Sequence, residues 1–287
     1  MNAASSSRPQ RPRVSVIVPT LNEAQNLPLV LPRIPGWVDE IIVVDGRSTD
    51  DTVAVAQALA ASLKPALRVV LESRRGKGAA LRAGFAAAKG DILVMMDADG
   101  STEPEEIGLF VRYLIDGADF VKGSRFMQGA GTADISPLRS LGNGVFTLMV
   151  RALFGGRFTD LCYGFAAFWA DVVPLLALDG DGFEIETMLN IRALRVGCRI
   201  VELPSFEAER IHGVSNLRTF PDGFRVLRTI LRERLRGKPL QRLRTDPAGA
   251  TYRGRGVVLE AHPETAGANG EPRHPVEAPL VRAAKSS

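Results

Sequence analysis

Cysteine is nearly absent from this chain. There are two in 287 residues, Cys162 and Cys198, too few for a disulfide framework or a cysteine-rich zinc site. Histidine is almost as scarce, with His212, His262 and His274 alone, so a three-histidine metal centre would consume all of them. Long apolar runs are missing too: the longest, such as Val172 to Leu178, fall far short of the ~20 residues a spanning helix needs. Residues Met1 to Arg13 are polar with no apolar stretch, so no secretory signal is expected and the expected compartment is the cytoplasm. Charge of one sign is not in great excess either. A net +4 gives no ground for a nucleic-acid partner, and none is expected.

What is present fits a globular protein. The chain is 45% hydrophobic and 24% charged, long enough for one large domain or two small ones. Residues 1–13 carry Ser, Pro and Arg and are expected to form a disordered arm. Residues 237–287 turn to Pro, Gly, Arg and Glu with little periodicity and are expected to be a disordered tail. Between them, from 14 to 236, short β-branched runs alternate with helical patterns. Val14 to Val18, Glu40 to Val44, Arg68 to Leu71, Asp91 to Met96 and Phe120 to Gly123 read as strands. Val53 to Ala60, Lys77 to Ala88 and Glu103 to Leu114 read as helices between them. The second half is less regular. It shows a long loop containing Gly129, Gly131 and Pro137, a helix near Val145 to Phe154, and another at Ile185 to Arg195 between strands near Phe165 to Trp169 and Arg199 to Leu203. Asp222 to Arg236 reads as an amphipathic helix, with Phe224, Leu227, Leu231 and Leu235 on one side and arginines on the other. The alternation predicts an α/β fold, a mostly parallel sheet with helices on both faces. Ligands of such sheets bind beyond the carboxyl ends of the strands.

Chemistry concentrates at those ends. Asp97-Ala98-Asp99 follows the fourth strand, and two carboxylates at i, i+2 can approach one hard divalent cation; an isolated Asp-x-Asp is more often a polar turn. Asp45 ends the second strand, where a carboxylate can accept from ring N–H groups or simply serve the turn at Gly46. Asp50 reads as a helix cap. Arg74-Arg75-Gly76-Lys77-Gly78 opens a helix, an arrangement suited to phosphate, though it is neither a P-loop nor a dinucleotide fingerprint. Cys162 and Cys198 fit small buried positions better than nucleophiles. His212 lies in a loop, where it either approaches a bound ligand or is simply solvated.

Taken in order, Pro19-Thr-Leu-Asn22-Glu23, Asp45-Gly-Arg-Ser-Thr-Asp50, Gly76-Lys77-Gly78 and Asp97-Ala-Asp99 resemble the family 2 glycosyltransferases of GT-A fold, within them the dolichyl- and polyprenyl-phosphate mannose synthases. Gly123-Ser124-Arg125, Thr159-Asp160-Leu-Cys-Tyr-Gly164-Phe165, Gly182-Phe183-Glu184-Ile-Glu186 and Arg210-Ile-His-Gly213-Val-Ser215-Asn216-Leu217 extend the likeness to about residues 14–235.

The resemblance implies inverting transfer of a sugar from a nucleotide-diphosphate sugar, GDP- or UDP-linked, to an acceptor, first of all a polyprenyl phosphate. It implies a nucleoside pocket of Pro19, Leu21, Glu23 and Asp45, with Lys77 and Ala98 also against the donor. Asp97 and Asp99 would hold Mg²⁺ or Mn²⁺, and Arg125 and Arg210 would sit near the phosphates. Arg139 fits the arginine expected near an acceptor phosphate. A phosphate acceptor needs no general base, whereas a glycan or small-molecule hydroxyl does; Asp160, Glu184 and Glu186 are the candidates for that task. Departures from the pattern are Gly46 for a second Asp, Leu21 for an aromatic, Asn216 for a basic residue and Gly142 for Ser. The basic amphipathic helix suggests peripheral contact with the inner face of a membrane; the alternative is a helix docked on the core with its arginines solvated. Two other classes share parts of the pattern, a sugar-phosphate nucleotidyltransferase and a non-catalytic nucleotide-binding protein.

Overall fold

The computed structural model describes residues 11–236 and the backbone of residues 257–260. The first half alternates: β1 (Val14–Thr20), α1 (Leu27–Val30), β2 (Glu40–Asp45), α2 (Thr52–Leu59), β3 (Ala66–Leu71), α3 (Lys77–Ala87), β4 (Ile92–Met95), α4 (Ile107–Ile115) and β5 (Phe120–Ser124). The second half adds β6 (Gly131–Thr132), α5 (Pro137–Phe154), β7 (Ala166–Trp169), α6 (Val173–Leu176), α7 (Glu184–Val196), β8 (Arg199–Pro204), β9 (Phe206–Glu207), α8 (Thr219–Leu235) and β10 (Val257–Glu260).

Eight strands form one sheet in the order β10-β8-β5-β7-β4-β1-β2-β3. Only β7 runs antiparallel to its neighbours. The expected mostly parallel α/β sheet is therefore what the chain builds. Every residue of β2, β4 and β5 is buried, because helices cover both faces of a parallel sheet and leave it no wet side. The registers Thr20↔Asp45 and Ile17↔Met95 bring the ends of β1, β2 and β4 to one edge. That edge carries the site.

Three expectations need correction, and the facing of the α8 stripe, left open by the sequence, is decided. Helix α5 begins at Pro137, within what the sequence suggested was loop. Ser136 caps it by accepting from the Arg139 amide, Pro137 takes the first turn, and Gly155 ends it at φ 79°, so local capping chemistry outweighs the glycines at 142 and 144. Helix α4 is shorter than expected, because Pro104–Glu106 forms a 3-10 turn before it. The apolar stripe of α8 faces outward: Phe224, Leu231 and Leu235 are exposed, while Val226, Ile230 and Glu233 are buried. Finally, the expected tail from 237 lies outside the described residues except for β10, whose backbone pairs with β8, so that stretch is not without structure throughout. Of the expected N-terminal arm, residues 1–10 lie outside the described residues. Arg13 is already fixed, donating from its amide to Asp91 Oδ2 at 2.8 Å.

Candidate active site

Two loops at the sheet edge hold each other. Asn22 after β1 and Arg47 after β2 both have positive φ, 60° and 76°, a conformation side chains seldom adopt without support. The support is reciprocal. The Asn22 amide donates to Ser48 Oγ at 2.8 Å, and the Thr49 amide donates to Asn22 Oδ1 at 2.8 Å. Asp50 joins them, accepting from the amides of Thr52 and Ala24; the cap position of α2 itself falls to Asp51, one residue later than expected. Beneath these loops lies Asp45, 5% exposed. Its Oδ2 accepts from the amides of Arg47 and Ser48, and its Oδ1 is buried without a partner. A buried carboxylate oxygen without a donor is costly.

A cavity of about 450 Å³ opens beside this loop pair. Pro19, Leu21, Glu23, Lys77, Ala98, Asp97, Asp99 and Arg210 all line it, bringing together eight residues that the sequence motifs scatter over nearly two hundred positions. Asp45, expected in the nucleoside pocket, is not itself among the lining residues. Lys77 is the first residue of α3, and its ammonium bridges Asp97 Oδ1 at 2.6 Å and Glu186 Oε1 at 2.7 Å. Burial works against that charge, but the two carboxylates outweigh it and hold Lys77 well above the usual lysine range. Arg210 reaches Asp99 Oδ2 at 2.9 Å, while Asp99 Oδ1 accepts from the Ser101 amide and hydroxyl. Burial pushes the Glu23 carboxyl up to about 7, against a hydrogen bond from Asn26 that pulls it down.

The donor set suits a hard divalent cation: two carboxylates just beyond a buried strand, with room beside them for phosphate oxygens. No three His, Cys, Asp or Glu side chains among the described residues form a metal cage. A cation held by Asp97 and Asp99 would take its remaining ligands from a diphosphate and water.

Other expected residues stand apart from the cavity. Arg125 is 8% exposed and grips Asp160 through Nε at 2.7 Å and Nη2 at 3.0 Å, with Glu207 beyond it. Asp160 is fully buried. Burial alone would raise its carboxyl, but Arg125 and Lys122 hold it below the usual range. Such a group is a poor proton acceptor, and it is not among the residues that line the cavity. Arg125 is likewise not among the lining residues, and its guanidinium faces Asp160 and Glu207. Glu186 is committed to Lys77. Glu184 accepts from the Gly182 amide at 3.0 Å, and its Oε2 is buried without a partner, outside the cavity lining. Arg139 spends its guanidinium on the loop before α8, donating to the Leu217 carbonyl at 2.8 Å and to Ser215 Oγ at 3.4 Å. His212 is exposed, and its carbonyl accepts from Asn26. Burial pushes the Cys162 thiol up to about 12, and Cys198 is buried, as small packing positions would be.

The cavity also has walls that the motifs did not announce. Arg218, Pro221, Asp222 and Arg225 line it as well, beside Phe183, Ser215 and Asn216 of the quoted motifs. The concentration of arginine after 209 was the available signal for Arg218 and Arg225; nothing local marked Pro221.

Comparison with known proteins agrees with this geometry. Residues 15–174 match the model of glycosyl transferase family 2. The chain is 37% identical over 215 residues to the polyprenol monophosphomannose synthase of Mycolicibacterium smegmatis, covering 71% of this chain and 81% of that one. It is 36% identical over 216 residues to the undecaprenyl-phosphate mannosyltransferase of Micrococcus luteus, covering 71% and 87%. Among solved structures, glucosyl-3-phosphoglycerate synthase from Mycobacterium tuberculosis, in complex with Mn²⁺, UDP and phosphoglyceric acid, superposes with a TM-score of 0.61 at 26% identity, covering 78% of each chain. The same enzyme with Mg²⁺ and UDP gives 0.61. The sheet and its helices are thus of the expected GT-A type.

Proposed function

The chain belongs to glycosyl transferase family 2, and on that premise we propose that it moves a hexosyl group from a nucleoside-diphosphate sugar to a polyprenyl phosphate, with inversion. The observation that carries the donor half is the convergence of Asp45, Lys77, Asp97, Asp99 and Arg210 on one sheet edge. Asp45 would receive the base. Asp97 and Asp99 would hold Mg²⁺ or Mn²⁺, which when bound neutralises charge developing on a leaving diphosphate. Lys77 and Arg210 add fixed positive charge beside it, within a partly enclosed site where such charge acts more strongly than in water.

The acceptor half rests on chemistry and on surface. An acceptor phosphate is already an anion, so direct displacement at the anomeric carbon needs no base, and Asp160 and Glu186 are both committed to ion pairs. Beside the cavity, α5 and α8 depart from the usual amphipathic pattern. Their buried faces mix Val150, Val226 and Ile230 with polar Asn143, Thr147, Asp222, Thr229 and Glu233, while Leu138, Leu141, Val145, Leu148, Phe220, Phe224, Leu231 and Leu235 are exposed. An apolar face flanked by exposed arginines, among them Arg228 and Arg234, suits an anionic leaflet. No helix among the described residues is long and apolar enough to cross a membrane. The enzyme would then sit peripherally on the cytoplasmic face, with the lipid phosphate delivered beside α8. The names of the relatives make mannose the first sugar to test.

The test is transfer of label from GDP-mannose, and in parallel from UDP-glucose, to undecaprenyl phosphate in mixed vesicles with Mn²⁺. Organic-extractable label with wild type, lost in Asp99→Ala, is the expected result. Thermal unfolding supplies the control, since a nucleotide at ~100 times its Kd stabilises by about 2.7 kcal/mol. Nucleotide-dependent stabilisation without label in lipid would place the error in the acceptor.

A hydroxyl acceptor is the second reading, and Glu23 favours it. That carboxyl lines the cavity, and burial brings it up to about 7, so its ionised form near neutral pH is a stronger proton acceptor than an ordinary carboxylate. Glu23→Gln separates the two: it abolishes transfer to a hydroxyl and spares transfer to a phosphate.

A further inference from the structure

Each carboxylate of the Asp97-x-Asp99 pair is occupied by a basic side chain from a different element. Lys77, from the start of α3, lies 2.6 Å from Asp97 Oδ1. Arg210, from the loop after β9, lies 2.9 Å from Asp99 Oδ2. With Glu186, which shares the Lys77 ammonium at 2.7 Å, three carboxylates face two cations and leave this part of the site one charge negative. A divalent cation arriving alone must displace at least one of these partners and leaves the site with an excess of positive charge. A cation arriving with a sugar-linked diphosphate does not, because the two phosphate charges balance it and give the displaced ammonium and guanidinium new partners. The chain also provides too few side-chain oxygens to retain a metal by itself, since no third His, Cys, Asp or Glu joins the pair among the described residues.

We propose that Lys77 and Arg210 are resident counter-ions of Asp97 and Asp99, handed from carboxylate to diphosphate as a metal–nucleotide pair enters, so that cation and donor are taken up together. Glu186 is the positioning residue of this exchange. It holds the same ammonium at 2.7 Å from a buried place on α7. When Asp97 turns to the cation, Lys77 therefore stays at the site instead of relaxing towards solvent. The nest is dense: a Cβ at Gly164 would lie 2.6 Å from Lys77 Nζ, 2.9 Å from Glu186 Oε1 and 3.0 Å from Asp97 Oδ2. The ammonium thus has no slack on the strand side, and the cavity, which Lys77 lines, is where it can move.

This proposal rests on the metal-binding reading of Asp97 and Asp99, and the experiment separates the two. Free Mn²⁺ is read by its electron paramagnetic resonance signal in titrations of the full chain, alone and with saturating GDP or UDP. Wild type, Lys77→Met and Arg210→Gln are compared. In wild type, nucleotide should raise Mn²⁺ affinity about tenfold or more. In Lys77→Met, Mn²⁺ alone should bind about tenfold more tightly than in wild type, and the gain from nucleotide should shrink by about the same factor. Arg210→Gln should move in the same direction and lies in a loop, so it gives the answer even if Lys77→Met fails to fold. Unchanged or weaker binding of Mn²⁺ alone in the variants, with the nucleotide gain intact, overturns the hand-over and leaves the metal reading standing. No binding of Mn²⁺ by wild type with either nucleotide overturns the metal reading, and the hand-over falls with it.

Discussion

The guanidinium of Arg125 closes on the carboxylate of Asp160 through Nε at 2.7 Å and Nη2 at 3.0 Å. The pair is buried, and Lys122 braces it from behind by donating to the Asp160 carbonyl at 2.6 Å. Its position makes it a strut between β5 and the segment before β7. Arg125→Met should cost about 3–5 kcal/mol in denaturant unfolding, because it strands a buried charge. Arg125→Met with Asp160→Asn should recover part of that loss. An Arg125→Met protein of wild-type stability that has lost only turnover would show instead that the guanidinium works on the donor.

Glu23 gives the stability a pH dependence of definite sign. Its folded pKa of about 7 lies above the ordinary 4.5, so the folded state holds this proton more tightly than the unfolded chain does. The contribution is full below pH 4.5 and is lost as pH rises through about 7. Glu23→Gln removes that loss. Relative to wild type it should gain about 1–2 kcal/mol between about pH 5 and about pH 8, a value discounted for solvent at the cavity mouth. Chemical unfolding of both proteins across that range checks it, and parallel pH profiles would refute it.

The outward apolar face predicts binding without folding. Leu148 and Phe224 are 66% and 67% exposed, so Leu148→Asp and Phe224→Asp should change unfolding free energy by less than about 0.5 kcal/mol. Each should weaken sedimentation with anionic vesicles by about tenfold, the loss of one large side chain from an apolar phase being worth roughly 1.5–3 kcal/mol. Vesicle binding equal to wild type in both variants would move the contact elsewhere.

The start of α3 leaves no room for a methyl group. A Cβ at Gly78 would meet the Gly180 carbonyl oxygen at 2.6 Å and the Gly182 carbonyl oxygen at 2.9 Å. Both acceptors are backbone, so the 180–182 loop must move, and with it the Ala79 amide bond to the Asp181 carbonyl. Gly78→Ala should cost about 1–3 kcal/mol by overpacking. It should also weaken nucleotide binding, read by calorimetry, since Lys77 precedes the displaced turn.

Much of this was legible in the chain itself. The β-branched runs of β1, β2 and β4 need no context, because a strand buried on both faces must be apolar throughout. Asp45, Asp97 and Asp99 were legible because they stand where those runs stop, and chemistry collects at the carboxyl ends of a parallel sheet; Lys77 was legible from the glycines on either side of it at the start of a helix. The start of α5 was misread because Gly142 and Gly144 weaken the helical pattern, while the cap at Ser136 that starts it counts only once Pro137 is seen to begin a helix. The outward turn of α8 was illegible for a different reason. Periodicity shows that a helix has two faces and does not say which one the fold covers.

The sequence by itself determined the sheet, the edge on which the donor residues stand and the family they belong to, since those follow from short-range patterns and fixed spacing. Tertiary structure alone decided the partners. It paired Arg125 with Asp160, Lys77 with both Asp97 and Glu186, and Arg210 with Asp99, joining residues that lie between 20 and 111 positions apart in the chain. A charged side chain takes its role from the nearest opposite charge and from how much water remains between them, and neither quantity is written in the order of the residues.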